Sequence, residues 1–142
     1  MAACIAGFYA HAIGLKNAIG TQAEVSNALD KIDFLESETE MLHNAWLASK
    51  LRQPEQKYTA GDFRYFERLY GDSIDRMRRM DKGLRKSAEI ITGGHGSGYG
   101  KQSRARTAAR WLSSRLKINQ DIEERKSESL RIFQIQLAML SA

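Results

Sequence analysis

TQAEVSNALDKIDFLESETEMLHNAW, residues 21–46, decides how the rest of the chain is read. Within it Val25, Ala28, Ile32, Leu35, Thr39, Leu42 and Trp46 recur at alternating steps of three and four. A helix completes a revolution in about 3.6 residues, so this spacing keeps one apolar seam facing a partner helix. At its head, Thr21-Gln22-Ala23-Glu24 fits a capping box, with the threonine hydroxyl taking the N–H of Glu24 and the glutamate reaching back. Pro54, the single proline of the chain, closes the segment, because the residue before a proline avoids helical angles. The reading is a helix over 21–53.

The same spacing continues downstream. Thr59-Ala60-Gly61-Asp62 is a second, weaker start signal. Behind it Phe63, Phe66, Tyr70, Ser73, Met77, Met80, Leu84 and Ile91 form another seam, with a polar position skipped at Ser87, which predicts a helix over 59–91. Gly71 and Gly83 weaken it by about 1 kcal/mol each relative to alanine and suggest close packing or a bend. A third helix is expected over 103–140. Its apolar positions are Ala109, Leu112 and Leu116 at the start and Leu130, Phe133, Leu137 and Leu140 at the close. The polar middle, NQDIEERKSES at 119–129, offers only Ile122 to a core and is expected to project past its neighbours, held by local pairs such as Asp121 with Arg125. No strand-like alternation and no sequence repeat stands out.

Between the second and third segments lies TGGHGSGYGK, residues 92–101. A phosphate-binding loop needs a glycine where His95 stands and a hydroxyl where Gln102 stands, so that motif fails twice. The three-glycine dinucleotide pattern meets Tyr99 or Lys101 at its third position and fails too. A glycine-rich hinge over 92–102 is the better reading, since consecutive glycines supply the left-handed angles of a helix end. Opening onto an arginine-rich helix, such a loop could still offer backbone N–H groups to an anion.

The 142 residues suit one domain, and 42% hydrophobic with 27% charged residues is an ordinary globular balance. Cys4 stands alone, which excludes an intramolecular disulfide and a cysteine-based zinc site. The first charged side chain is Lys16, after the apolar run MAACIAGFYAHAIGL within an N-terminal segment at 1–20; the run lacks the basic start of a secretory signal and is too short for a membrane span. It reads as a short apolar helix packing on the domain or on a neighbouring subunit, with membrane contact the weaker alternative. Neither a cytoplasmic location nor a place in a secreted or virion assembly is singled out.

The expected fold class is therefore all-α, a single helical domain over 1–142. Three long helices form an antiparallel bundle or coiled-coil-like hairpin, plus a short apolar N-terminal helix.

Candidate chemistry is sparse. His11, His43 and His95 lie in different segments without an i, i+4 partner, and Glu36/Glu40 or Asp72/Asp75 read as solvated helix surface, so no metal site, cofactor or catalytic residue is expected. The positive feature is charge. The chain carries a net +5, and KQSRARTAARWLSSRLK at 101–117 holds six cations and no acid. Lys101, Arg104, Arg106, Arg110, Arg115 and Lys117 are candidate anion or nucleic-acid contacts, with Trp111 beside them as a base-stacking or interface aromatic. RMRRMDKGLRK at 76–86 adds six more cations against one acid. Alternatively these arginines face solvent or pair with the acids of the first helix.

The layout of a heptad-like first helix, a middle helix and a closing helix ending NQDIEERKSESLRIFQIQLAML resembles the minor pilus-tip proteins of conjugation-type secretion systems, the TrbJ-like proteins. That resemblance implies a non-enzymatic part of a larger apparatus and carries no site residues over. The leading expectation is a helical structural or assembly protein of a bacterial or viral apparatus. It would act through helix–helix packing and self-association or protein partners, with Leu130, Phe133, Leu137 and Leu140 as a partner-helix seam. The alternatives are a nucleic-acid-binding or packaging protein that uses the basic face, and a helical chaperone or adaptor for an acidic protein.

Overall fold

The computed structural model describes the backbone of residues 2–52, 60–93 and 101–141, and within these the side chains of 20–48, 50, 62–93 and 104–139. Three helices account for almost all of it: α1 (Ala2–Arg52), α2 (Ala60–Thr92) and α3 (Lys101–Ser141), with no strand among the described residues. Pro54, Thr59 and the glycine-rich residues 94–100 lie outside the described residues. Gly93, directly after α2, has a φ of 82°, the left-handed angle that ends helices and that glycine adopts without steric penalty.

One expected boundary is absent. Thr21 lies inside α1, so the apolar run and the first seam form one continuous helix and the capping box starts nothing. The run at 2–20 is rich in alanine, the strongest helix former, and its glycines weaken a helix without terminating it. Within a continuous helix the N–H of Glu24 belongs to the carbonyl of residue 20, leaving no orphan donor for Thr21 to cap.

Chain direction follows from cross-helix pairs. Glu36 and Asp33 meet Arg85, Thr39 meets Asp81 and Lys50 meets Glu67, so α1 and α2 run antiparallel. Ile90 meets Arg110, Asp81 meets Arg125 and Ser73 meets Glu128, so α2 and α3 do as well. Glu24 with Trp111 and Glu38 with Ser129 then place α1 parallel to α3.

All seven seam residues of α1 are buried. Tyr70, Ser73, Met77, Leu84 and Ile91 of α2 are buried with them, joined by Ile74, Asp81 and Ala88, which the spacing had not marked. At Gly71 and Gly83 an added Cβ would meet nothing within 4 Å, so no close helix approach explains either glycine.

In α3 the expected inward positions face the other way. Ala109, Leu112, Leu116, Leu130, Phe133 and Leu137 are exposed, and the side chain of Leu140 is outside the described set. The buried face is Trp111, Ile118, Ile122, Arg125, Glu128, Ser129, Ile132, Ile135 and Met139. At about 100° per residue the two stripes lie roughly a third of a turn apart. The polar middle does not project; Ile118, Ile122 and Arg125 are among the most deeply buried side chains of the molecule. Arg125 reaches Asp81 across the interface, and Asp121 pairs with Lys117 instead.

Buried residues form two apolar clusters. One gathers Val25, Ile32, Leu35, Leu84, Ile91, Trp111, Ile118 and Ile122; the other gathers Leu42, Trp46, Tyr70, Met77, Ile132 and Met139. Trp46 stacks on Tyr70 in the second, with ring centroids 4.3 Å apart. A buried polar layer of Thr39, Asp81, Arg125 and Ser129 falls between them in sequence register on every helix.

Candidate helix-docking groove

The polar layer lies beneath the site and reaches it through Ser129. The Arg125 guanidinium, 0% exposed, donates from Nε to Asp81 Oδ1 at 2.7 Å and from Nη1 to Ser129 Oγ at 2.7 Å. Nη2 donates to the Leu35 carbonyl at 2.9 Å and to Thr39 Oγ1 at 2.6 Å. Thr39 also hydrogen-bonds Asp81, and Ser129 donates to Glu38 Oε2 at 3.0 Å. All three helices thus contribute, and every buried side-chain polar atom described has a partner. A buried charge requires this, since an unpaired ion in a low-dielectric interior costs several kcal/mol, of order 3–5 kcal/mol when one partner is removed.

Burial pushes the Asp81 carboxyl above its ordinary range despite the opposing hydrogen bonds of Thr39 and Arg125. Burial also acts on Glu128, but there Ser73, donating at 2.6 Å, and Arg76, donating at 2.8 Å, outweigh it and hold the carboxyl below its ordinary value.

Above this layer runs the groove between the parallel α1 and α3. Its apolar half encloses about 340 Å³ and is lined by Lys31, Phe34, Leu35, Glu38, Lys126, Ser129, Leu130 and Phe133. Phe34 (65% exposed), Leu130 (64%) and Phe133 (50%) form its walls. Met41 and Leu137, two turns further along α1 and α3, are exposed on the same faces. Toward the start of both helices the groove continues as a second space of about 380 Å³, whose lining includes Glu24, Lys31, Trp111, Arg115, Leu116 and Asn119. Lys31 belongs to both halves.

Of the partner-seam residues read from the sequence, Leu130 and Phe133 line this groove, Leu137 is exposed further along α3, and the side chain of Leu140 lies outside the described set. The other wall was missed. Phe34 sits one position before the buried Leu35, and only the tertiary arrangement shows it opposite Leu130.

The basic candidates are not brought onto one surface. Arg104, Arg106, Arg110, Arg115 and Lys117 are all exposed, and the side chain of Lys101 is outside the described set. Arg110 turns toward α2, donating to the Ile90 carbonyl at 3.4 Å, whereas Arg115 lines the groove toward α1. Lys117 is held by Asp121 at 2.7 Å, which raises its pKa. Trp111 is buried and donates Nε1–H to Glu24 at 2.9 Å, so its ring is packed in the core and is not a stacking platform. In the second cluster, Arg76 binds Glu128, Arg78 pairs with Glu40 at 3.5 Å and Arg85 binds Asp33 and Glu36. Arg79, Lys82 and Lys86 stay exposed with no carboxylate partner among the described residues.

Among the described residues no group of three His, Cys, Asp or Glu side chains is placed to hold a metal ion, and no helix is long and apolar enough to cross a membrane. Cys4, His11 and His95 fall outside the described side chains. No protein-family model matches this chain, and no curated protein and no solved structure matches it either.

Proposed function

We propose that this chain is a non-enzymatic structural or assembly protein of a larger bacterial or viral apparatus, an antiparallel three-helix bundle that works by packing a further helix. The observation that carries this reading is that α3 is apolar on two faces. Its Ile-rich face is buried in the bundle, while Leu130 and Phe133 stand exposed beside Phe34 of α1. Scattered single apolar side chains on a surface need no explanation, but a contiguous set lining one groove marks an interaction site. The large buried ionisable groups, Arg125, Asp81 and Glu128, are all engaged in hydrogen bonds between helices, which gives them a role in register. The resemblance of the closing helix to minor pilus-tip proteins points to the same kind of role.

The test is light scattering after size exclusion, at low and high salt, on the chain and on a Leu130→Ser/Phe133→Ser variant. Salt-resistant association, with itself or with a helical partner, that the double substitution abolishes without lowering helicity supports the reading. Association that survives the substitution overturns it.

A nucleic-acid-binding reading draws support from exposed cations that have no carboxylate partner among the described residues, among them Arg79, Lys82 and Lys86 on α2 and Arg104, Arg106, Arg110 and Arg115 on α3. It predicts a steep fall of affinity with salt and its loss when Arg104, Arg106, Arg110, Arg115 and Lys117 are replaced by glutamine. Unchanged binding in that variant would rule this surface out.

A further inference from the structure

Cations outnumber carboxylates in the lining of the α1/α3 groove, Lys31, Arg115 and Lys126 against Glu24 and Glu38. Two carboxylates line it as well: Glu24 accepts from the neutral indole of Trp111 at 2.9 Å, and Glu38 accepts from Ser129 at 3.0 Å and lies 3.6 Å from Arg125. Lys126, on the rim, pairs with Glu123 at 3.1 Å. Lys31 and Arg115 have no carboxylate partner among the described residues, and both line the half of the groove nearer the helix starts. The groove is thus apolar at the Phe133 end and has an excess of positive charge at the Arg115 end, where Lys31 and Arg115 line it with Glu24.

From this we propose that the groove seats an amphipathic helix of a partner protein, with apolar anchors over Phe34, Leu130 and Phe133 and carboxylates over Lys31 and Arg115. The inference rests on the assembly reading above and names its partner by chemistry. Two parallel helices with exposed apolar walls and two neighbouring hollows between them, both lined by Lys31, present the geometry in which a third helix docks through residues at steps of three and four. Leu116 to Phe133 spans about 26 Å along α3, which an occupant of about 17 residues, close to five turns, would cover.

A second copy of this chain fits less well. In a two-fold pairing the same patch faces itself, so its excess of cations over carboxylates meets the same excess. The two carboxylates within the patch, Glu24 and Glu38, are outnumbered by Lys31, Arg115 and Lys126 and already accept hydrogen bonds from Trp111 and Ser129. Partner choice by charge of this kind acts as much through the repulsion of wrong partners as through attraction of the right one.

The experiment uses the full chain and three fluorescent peptides of one helix-forming sequence. Each has four leucines at steps of three and four, and flanking positions at one end filled with Glu, Gln or Lys. Anisotropy titrations at low salt are expected to rank Glu above Gln above Lys, with about a tenfold separation between the extremes. Lys31→Glu/Arg115→Glu should invert that order, Leu130→Ser/Phe133→Ser should abolish binding of all three, and Lys86→Glu, on the far side of α2, should leave the order intact.

Equal binding of the Glu and Lys peptides, or a preference lost equally in Lys86→Glu, would overturn the charge-selected partner and leave helix packing standing. Self-association through Leu130 and Phe133 that excludes every peptide would put a second copy in the groove and overturn it as well. Peptide binding unaffected by Leu130→Ser/Phe133→Ser would remove both this inference and the assembly reading. All substituted positions are exposed, so circular dichroism and the unfolding midpoint should match the parent chain.

Discussion

Arg125 of α3 and Asp81 of α2 are joined at 2.7 Å in the middle of the molecule, the guanidinium wholly buried and every neighbouring acceptor supplied by a different turn or helix. An ion pair so placed adds little net stability, because desolvation offsets most of its Coulombic gain.

Removing one partner should therefore be far worse than removing both. Asp81→Ala is expected to cost about 3–5 kcal/mol by leaving the guanidinium unanswered. Arg125→Met with Asp81→Leu should cost much less than the sum of the single changes, and could even stabilise. Urea unfolding of the four species forms the cycle; additive losses would show that the pair is not coupled.

Assignment of the inner face of α3 has its own test. Ile122→Ala and Ile132→Ala should each cost about 2–5 kcal/mol, since both side chains are almost fully buried. Leu116→Ala and Leu130→Ala should stay within about 0.5 kcal/mol, as exposed positions do. The reverse order would mean that α3 is turned the other way.

The acid response should have opposite contributions from two carboxyls. Glu128 is held below its ordinary value, so its contribution is present above that value and lost as pH falls through the folded pKa. Asp81 is raised, so between its unfolded and folded values the native state holds the extra proton and stability falls as pH rises. Glu128→Gln should flatten the loss of stability below about pH 4.5, measured by denaturation across pH 3–7. An unchanged acid limb would assign acid sensitivity elsewhere.

At the alkaline end, burial pushes Tyr70 up from 10.0 to about 12, while its hydroxyl donates to the Leu42 carbonyl at 2.5 Å. The folded chain keeps this proton where the unfolded chain releases it, so stability is full below about pH 10 and declines toward about pH 12. Tyr70→Phe should remove that decline. Persistence of the decline in the variant would point to another group.

Gly71 and Gly83 sit on the exposed side of α2 with open space where a Cβ would be. Alanine at each should raise stability by about 1 kcal/mol through helix propensity alone. Loss of stability in either variant would expose a backbone requirement at that turn.

The seam of α1 was legible because only one face of its second half is regularly apolar, so each of Val25 to Trp46 had a single place to go. α3 was not, because it offers two apolar stripes and local spacing cannot choose between them. Arg125 stands where the buried series Ile118, Ile122, Ser129 and Ile132 needs an apolar residue, and so it hid the face that packs. What makes that position tolerable is Asp81, forty-four residues away on another helix. Trp111 misled for a related reason, since its indole N–H finds its acceptor on Glu24 of α1 and the ring is packed away from the neighbouring arginines. The groove was half visible: Leu130 and Phe133 stood out in sequence, whereas Phe34 and Lys31 acquire meaning only once α1 lies parallel to α3.

The polar layer also bears on how the molecule comes apart. Fraying that begins at either end melts one apolar cluster, then meets a guanidinium whose bonds to Asp81, Thr39, Leu35 and Ser129 must break together. The layer is a firebreak: partial openings stay on their own side of it, and amides flanking residues 39, 81 and 125 should exchange with solvent only when the whole chain unfolds.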